Sequence, residues 1–280
     1  MQKLPRQVML CEVGPRDGFQ YEDRIIPTDL KVEIIRGLAE AGLPRIQVAS
    51  FVHPKWVPQM ADAEDVVSGL QQIDGILYSG LALNLKGVER AFNAGLTAVD
   101  VSIATHDEHS RDNANMSVAE ALTQALAMVA AARRHGMEVQ IGFQTVFGFR
   151  EPGDTSIEWL LSMVKPFTTL GVESISLADT TGMANPALIS ERVQAVRSVS
   201  GDIPLVLHLH DTRGLGLANV YEALRMGVDR FDTSLAGMGG CPFIKGAAGN
   251  IPTEDTAYLL TSLGIETGVD IAGVARCSRR

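Results

Sequence analysis

Eight short apolar runs, each followed by a longer amphipathic segment, recur along the whole of this 280-residue chain. No other feature limits its folding as much. The runs are Val8–Val13, Arg45–Phe51, Ile76–Leu83, Ala98–Ile103, Glu138–Phe147, Ser174–Ala178, Pro204–Leu209 and Arg230–Ser234. Their length and flanking turn residues read as buried strands. Between them lie helix-like segments: Asp29–Ala41, Asp62–Gln71, Gly87–Asn93, Val118–His135, Ser156–Leu170, Pro186–Val199 and Leu217–Met226, with Thr253–Leu263 after the eighth run. Five of these segments stop at a glycine just before the next strand: Gly42, Gly95, Gly136, Gly171 and Gly227. Glycine there supplies a left-handed C-terminal cap. About eight strand–helix units in a chain of this size predict an α/β fold of the TIM (β/α)8 barrel type. A doubly wound open sheet has the same alternation and stands as the alternative. With no linker or low-complexity stretch, the expectation is a single catalytic domain over residues 1–280.

The composition, 46% hydrophobic and 20% charged, is that of a globular protein with a large core. A formal net charge of −9 argues against nucleic acid or a membrane surface as partner. An anionic small substrate held by a few local arginines is compatible with it. The three cysteines, Cys11, Cys241 and Cys277, are scattered and odd in number, which speaks against a disulfide framework. No apolar leader precedes Val8 and no apolar run is long enough to span a bilayer. A cytoplasmic, reducing setting is expected, and a homo-oligomer is compatible with the sequence.

In such a barrel the chemistry sits at the C-terminal ends of the strands. The pair His208 and His210, in Leu205-Val-Leu-His-Leu-His-Asp-Thr212, is the strongest signal there. Side chains alternate along a strand, so both imidazoles project from one face, and together they make half of a site for a first-row divalent ion. A lone histidine would more simply be a hydrogen-bonded core residue. After the first strand, Glu12-Val-Gly-Pro-Arg-Asp-Gly18 leaves Arg16 and Asp17 at the barrel mouth. Asp17 can ligate a hard cation and Arg16 can hold a developing oxyanion; taken alone, this stretch also reads as a surface turn. After the eighth strand comes a glycine-dense loop containing Cys241, a thiol able to pass a proton. Asn250, just before the last barrel helix, offers an amide oxygen. Two imidazoles, a carboxylate and an amide suit Mg²⁺ or Mn²⁺ better than structural zinc. The remaining strand ends carry Gln47 and Ser50, His106 and His109, Asp179, and Arg213. The Asp179-Thr180 and Asp211-Thr212 turns equally suit helix entry.

Taken together, these stretches resemble the 3-hydroxy-3-methylglutaryl-CoA lyase family, TIM-barrel enzymes of the divalent-metal lyase and synthase superfamily. The likeness runs from about Val8 to about Val269. It is carried by Glu12-Val-Gly-Pro-Arg-Asp-Gly18, Ser50-Phe-Val-His-Pro-Lys-Trp-Val-Pro-Gln-Met60, Leu83-Asn-Leu-Lys-Gly87, Asp179-Thr180, His208-Leu-His-Asp-Thr212 with Leu217-Ala-Asn219, Gly237-Met-Gly-Gly-Cys-Pro242, Gly249-Asn250 and Thr253-Glu-Asp255. The resemblance implies that Asp17, His208, His210 and Asn250 bind Mg²⁺ or Mn²⁺. It further implies that Arg16 stabilises a thioester enolate, that Cys241 assists proton transfer from a closing loop, and that Asp179 is a polar contact in the site. The implied reaction cleaves a 3-hydroxyacyl-CoA to acetyl-CoA and a keto acid, as the family cleaves 3-hydroxy-3-methylglutaryl-CoA to acetyl-CoA and acetoacetate.

Departures fall on the substrate side. The family has an acidic residue where this chain has Gln47, and an aromatic residue followed by Gly-Gln where it has Arg213-Gly-Leu. His106 and His109 also differ from the family, as does the region Gly142–Phe149. Gln47, His106 and Arg213 are therefore expected to contact substrate, as is Ser50 at the polar end of the second strand, and Gln47→Glu is expected to move the chain toward the family reaction. The alternatives are another superfamily reaction, such as aldol cleavage of a 4-hydroxy-2-oxo acid or a Claisen-type synthesis, and an inactive acyl-CoA-binding homologue.

Overall fold

In a computed structural model, which describes residues 4–240 and 248–280, the eight strands close into one parallel barrel in chain order. They are β1 (Met9–Glu12), β2 (Arg45–Ser50), β3 (Leu77–Ala82), β4 (Ala98–Ala104), β5 (Glu138–Gln144), β6 (Ser174–Ala178), β7 (Leu205–His208) and β8 (Arg230–Thr233). The seam is β1 on β8, in register from Met9 opposite Arg230 to Glu12 opposite Thr233. That pairing decides for the closed barrel over the open sheet. Around it lie α1 (Thr28–Glu40), α2 (Ala63–Gly69), α3 (Leu85–Asn93), α4 (Asp107–Ala114), α5 (Val118–Arg134), α6 (Ile157–Val164), α7 (Pro186–Ser200), α8 (Gly216–Arg225), α9 (Thr253–Ser262) and α10 (Ile271–Ser278). No helix among the described residues is long and apolar enough to cross a membrane.

Local chemistry sets the helix ends. Ser117 and Glu120 form a reciprocal capping box at the start of α5, and the Asn185 side chain accepts from Ala187 and Leu188 ahead of Pro186 at the start of α7. The five glycines read as helix stops have φ between 72° and 101°, the region a left-handed cap requires. The core fills the layer between strands and helices with residues such as Leu10, Ile46, Ile141, Phe143, Leu207 and Phe231, all buried.

Three departures from the sequence reading have local causes. The fifth strand ends at Gln144, not Phe147, because Thr145 takes a left-handed φ of 59°. Hydroxyl bonds hold it there: Thr145 Oγ1 lies 2.8 Å from Thr105 Oγ1, and its N–H donates to Thr180 Oγ1 at 3.0 Å. The segment after β5 is α-helical only to Val164 and continues as a tighter turn over Lys165–Thr169, where Pro166 has no N–H to donate. Helix α4 lacks an apolar stripe, so periodicity does not reveal it; an Asp107–Arg111 pair at 3.2 Å and Asn115 at φ 54° shape it.

Candidate metal centre

The site begins with a wide π-type turn over Gly14–Gly18, directly after β1. The N–H groups of Arg16 and Asp17 both donate to Val13 O, at 3.0 and 2.6 Å, which aims the two side chains from one short turn. Glu12, fully buried, anchors that turn. Its Oε1 accepts from Gly14 N at 2.8 Å and Leu235 N at 2.9 Å, and its Oε2 accepts from Thr253 Oγ1 at 2.7 Å. One carboxylate thus ties the first strand end to the segment after β8 and to α9. Burial pushes its pKa up to about 7, against the lowering effect of those hydrogen bonds.

On the opposite side, His208 closes β7 and His210 follows it. Beyond β7 the chain pairs with the segment returning from the β8 loop: Asp211 N donates to Gly249 O at 2.7 Å and Ile251 N to Leu209 O at 3.1 Å. This pairing sets Asn250 against His210. Ligand atoms of Asp17, His208 and His210 all lie within 4.8 Å of one another. The two Nε2 atoms are 3.3 Å apart, and His208 Nε2 is 3.9 Å from Asp17 Oδ2. Donors each about 2.1 Å from a common ion are separated by at most about 4.2 Å, and the 3.3 and 3.9 Å spacings of His208 Nε2 to His210 and Asp17 lie within that.

Other observations support the fit. Asn250 Nδ2 donates to Asp17 Oδ2 at 2.7 Å and to Met238 O at 3.0 Å, while its Oδ1 is buried with no hydrogen-bond partner among the described residues. Gly239 sits at φ 120°, and a Cβ there would lie 2.6 Å from Asn250 Nδ2, so the backbone approaches the cluster as closely as only glycine allows. His208 Nδ1 is 3.2 Å from Asp232 Oδ2. A carboxylate only accepts, so Nδ1 carries a proton, and in the neutral tautomer this leaves the Nε2 lone pair facing Asp17 and His210.

Electrostatics agree. Burial raises the Asp17 carboxyl, but Arg16, both histidines and the Asn250 bond outweigh it and bring the pKa down to about 2. Burial and the neighbouring His208 push His210 down to about 3, which leaves it unprotonated near neutrality. Burial also lowers His208, yet the Asp232 bond and the Asp17 charge prevail and raise it. The pocket between these groups therefore favours positive charge.

Arg16 joins the same cluster. Its Nε donates to Gln47 Oε1 and its Nη1 to Asp17 Oδ1. Asp179 adjoins it through the backbone, its N–H donating to His208 O at 2.8 Å. The Asp179 Oδ1 accepts from Ala184 N at 3.0 Å, its Oδ2 is buried without a partner among the described residues, and burial raises its pKa to about 6. Ser50 is buried at the end of β2.

Two expected contacts are engaged with their own neighbours. Arg213 Nη1 donates to Thr181 O and Gly182 O, both at 2.8 Å, and so clasps the turn after β6. His106 Nε2 lies 2.8 Å from Thr155 Oγ1 and 3.5 Å from Asp154 Oδ1. Cys241 lies outside the described residues. Three residues of this region escaped the sequence reading: Glu12, Asp232 and Asp100. The readable signal for Asp100 was a carboxylate inside the otherwise apolar run Ala98-Val-Asp-Val101, and for Asp232 a carboxylate beside Phe231 in the last strand.

Comparison with known proteins agrees with this geometry. A family model described as HMGL-like matches residues 7–280. A mitochondrial hydroxymethylglutaryl-CoA lyase of Mus musculus is 44% identical over 271 residues, covering 97% of this chain and 83% of that protein. A 3-hydroxy-3-isohexenylglutaryl-CoA/hydroxymethylglutaryl-CoA lyase of Pseudomonas aeruginosa is 40% identical over 277 residues, covering 99% and 92%. An HMG-CoA lyase from Acinetobacter baumannii, solved in complex with coenzyme A and 3-methylmalate, superposes with a TM-score of 0.92 at 38% identity, covering 100% of this chain and 91% of that one.

Proposed function

The chain belongs to the HMGL-like family, and from that premise we propose that it is a metal-dependent carbon–carbon lyase acting on a 3-hydroxyacyl-CoA. The substrate is 3-hydroxy-3-methylglutaryl-CoA or a relative with a different acyl group, and the products are acetyl-CoA and a keto acid. The observation that carries this reading is the convergence of Asp17, His208 and His210 on one point, with Arg16 bonded to Asp17 beside it.

Asp17, His208, His210 and Asn250 would hold the ion, Mg²⁺ or Mn²⁺ by the hardness of the set. When bound, it would supply Lewis acidity to the tertiary hydroxyl of the substrate. Loss of the hydroxyl proton turns the C3–O bond into a carbonyl as the C2–C3 bond breaks. The released electron pair moves onto the thioester as an enolate, and Arg16 meets the charge on that oxygen with a planar fork of donors. A proton must then reach C2. His210 and Cys241 are the groups assigned to proton transfer, and Asp179, with a pKa raised to about 6 and a carboxylate oxygen without a partner among the described residues, is a polar contact able to take part near neutrality. Ser50, His106 and Arg213 are the further residues assigned to the surroundings of the acyl group, and Gln47 acts from behind Arg16. The reading includes a cytoplasmic setting, with Cys11 and Cys277 free and buried, and no nucleic-acid or membrane partner; a homo-oligomer is compatible with it.

A steady-state assay with a panel of acyl-CoAs, with and without Mn²⁺, tests the proposal. Metal-dependent release of acetyl-CoA is expected. Cleavage of 4-hydroxy-2-oxo acids in its place would favour the aldolase alternative, and acyl-CoA binding without turnover would favour an inactive homologue.

A further inference from the structure

The barrel interior holds a polar chain that ends on Arg16. Strands β2 and β4 are not neighbours, so any bond between their side chains crosses the inside of the barrel. Two do. Arg45 Nη2 donates to Asp100 Oδ1 at 2.7 Å, and Gln47 Nε2 donates to Asp100 Oδ2 at 2.6 Å. Ser79 Oγ is a third donor to Asp100, reaching Oδ2 at 2.6 Å. Gln47 is 4% exposed and Asp100 4%, so both are shielded from bulk solvent. At its other end Gln47 Oε1 accepts from Arg16 Nε.

An amide is the uncharged group that accepts at one end and donates at the other. Asp100 can only accept, so it fixes which way the Gln47 amide faces, and that direction presents the oxygen to Arg16. With Nε held by Gln47 and Nη1 by Asp17, the plane of the guanidinium is set. A carboxylate at position 47 would bring two buried acids into contact, and one of them would have to take up a proton.

We propose that Asp100 is a positioning residue for Arg16, acting through Gln47. Its charge orients the amide, and the amide orients the guanidinium that the lyase reading sets against the enolate; the inference rests on that reading for its functional meaning. Gln47→Glu on its own therefore impairs the site rather than moving it toward the family reaction.

The arrangement predicts a reciprocal rescue. In Asp100→Asn the amide oxygen turns to the Arg45 charge, its NH2 meets Gln47, and Gln47 flips its own NH2 toward Arg16. In the double variant Gln47→Glu/Asp100→Asn the new carboxylate accepts from both Asn Nδ2 and Arg16, and the net charge of the interior is unchanged. Each single variant is expected to lose on the order of 10-fold or more in kcat with little change in KM, since orientation and not binding is lost. The double variant should recover most of that loss. A kcat for Asp100→Asn within about twofold of wild type, or a double variant no faster than the slower single one, overturns the proposal. Should Asp100→Asn fail to fold, Gln47→Glu and the double variant carry the same comparison. If the wild type releases no acetyl-CoA from any acyl-CoA, the lyase reading alone fails. Crystal structures of the variants then decide this inference: Arg16 displaced in Asp100→Asn and restored in the double variant supports it, and Arg16 unmoved in Asp100→Asn overturns it.

Discussion

Asp232 on β8 holds the Nδ1 side of His208 on β7, with Oδ2 3.2 Å from the ring nitrogen across adjacent strands. Such a partner fixes the tautomer of a ligating imidazole and raises its basicity. Asp232→Ala should weaken Mn²⁺ binding by about 10- to 100-fold without unfolding the barrel. Isothermal titration with Mn²⁺, alongside a circular dichroism spectrum, checks this; unchanged affinity would remove Asp232 from the metal centre.

Asp17 is the only carboxylate in the three-residue cluster with the two imidazoles. Replacing it by Asn removes the negative charge opposite the cation, so Asp17→Asn should cost more Mn²⁺ affinity than the Asp232 change, at least about 100-fold. Exhaustive treatment with a chelator should abolish turnover of the wild type, and Mn²⁺ or Mg²⁺ should restore it. Full activity in the chelated, metal-free protein would refute the metal-dependent reading.

Arg16 reaches Gln47 through Nε and Asp17 through Nη1, a two-point grip that a lysine cannot reproduce. Arg16→Lys should therefore lower kcat on the order of 10²-fold or more, with a much smaller rise in KM. Steady-state kinetics on the preferred acyl-CoA provides the measurement. An unaltered kcat would be incompatible with a role at the enolate oxygen.

Glu12 gives a pH signature. Its pKa is raised by burial from 4.5 to about 7 in the fold, so the folded state holds the proton more tightly than the unfolded chain. The stability this contributes is complete below the unfolded value and is lost as pH rises through about 7, at up to ~1.4 kcal/mol per pH unit. Glu12→Gln keeps the shape and an acceptor for Gly14 and Leu235 but cannot ionise. Its melting temperature should fall less than that of wild type between pH 5 and 8. Parallel melting curves across that range would argue against ionisation of Glu12 in the fold.

The strands were legible because buried parallel strands are written as apolar runs, and the five glycine stops marked where each helix had to release the chain. Asp17, His208 and His210 were legible because strand alternation and motif spacing are local properties. Helix α4 was not, because Asp107-Glu-His-Ser-Arg-Asp-Asn-Ala114 has no apolar face to show a period. Thr145 was not, because its left-handed turn depends on hydroxyls from Thr105 and Thr180, far away in sequence. Gln47 showed itself as a departure from the family, but its partner did not. The inward curvature of the sheet brings Asp100 from β4 past β3 to β2, and nothing near position 47 in the sequence announces it.

The bond between Asn250 and Asp17 joins positions 233 apart, across the same seam where β1 meets β8. During synthesis, a growing chain that has already displayed Asp17 would lack the proposed amide ligand until Asn250 has been made and the ring has shut. Capture of an ion by the full proposed set would thus be a late event in the life of each molecule. The cation would act as a latch on the finished seam, and a chain cut short before Asn250 would be left with a carboxylate and two imidazoles but without the amide that completes the set.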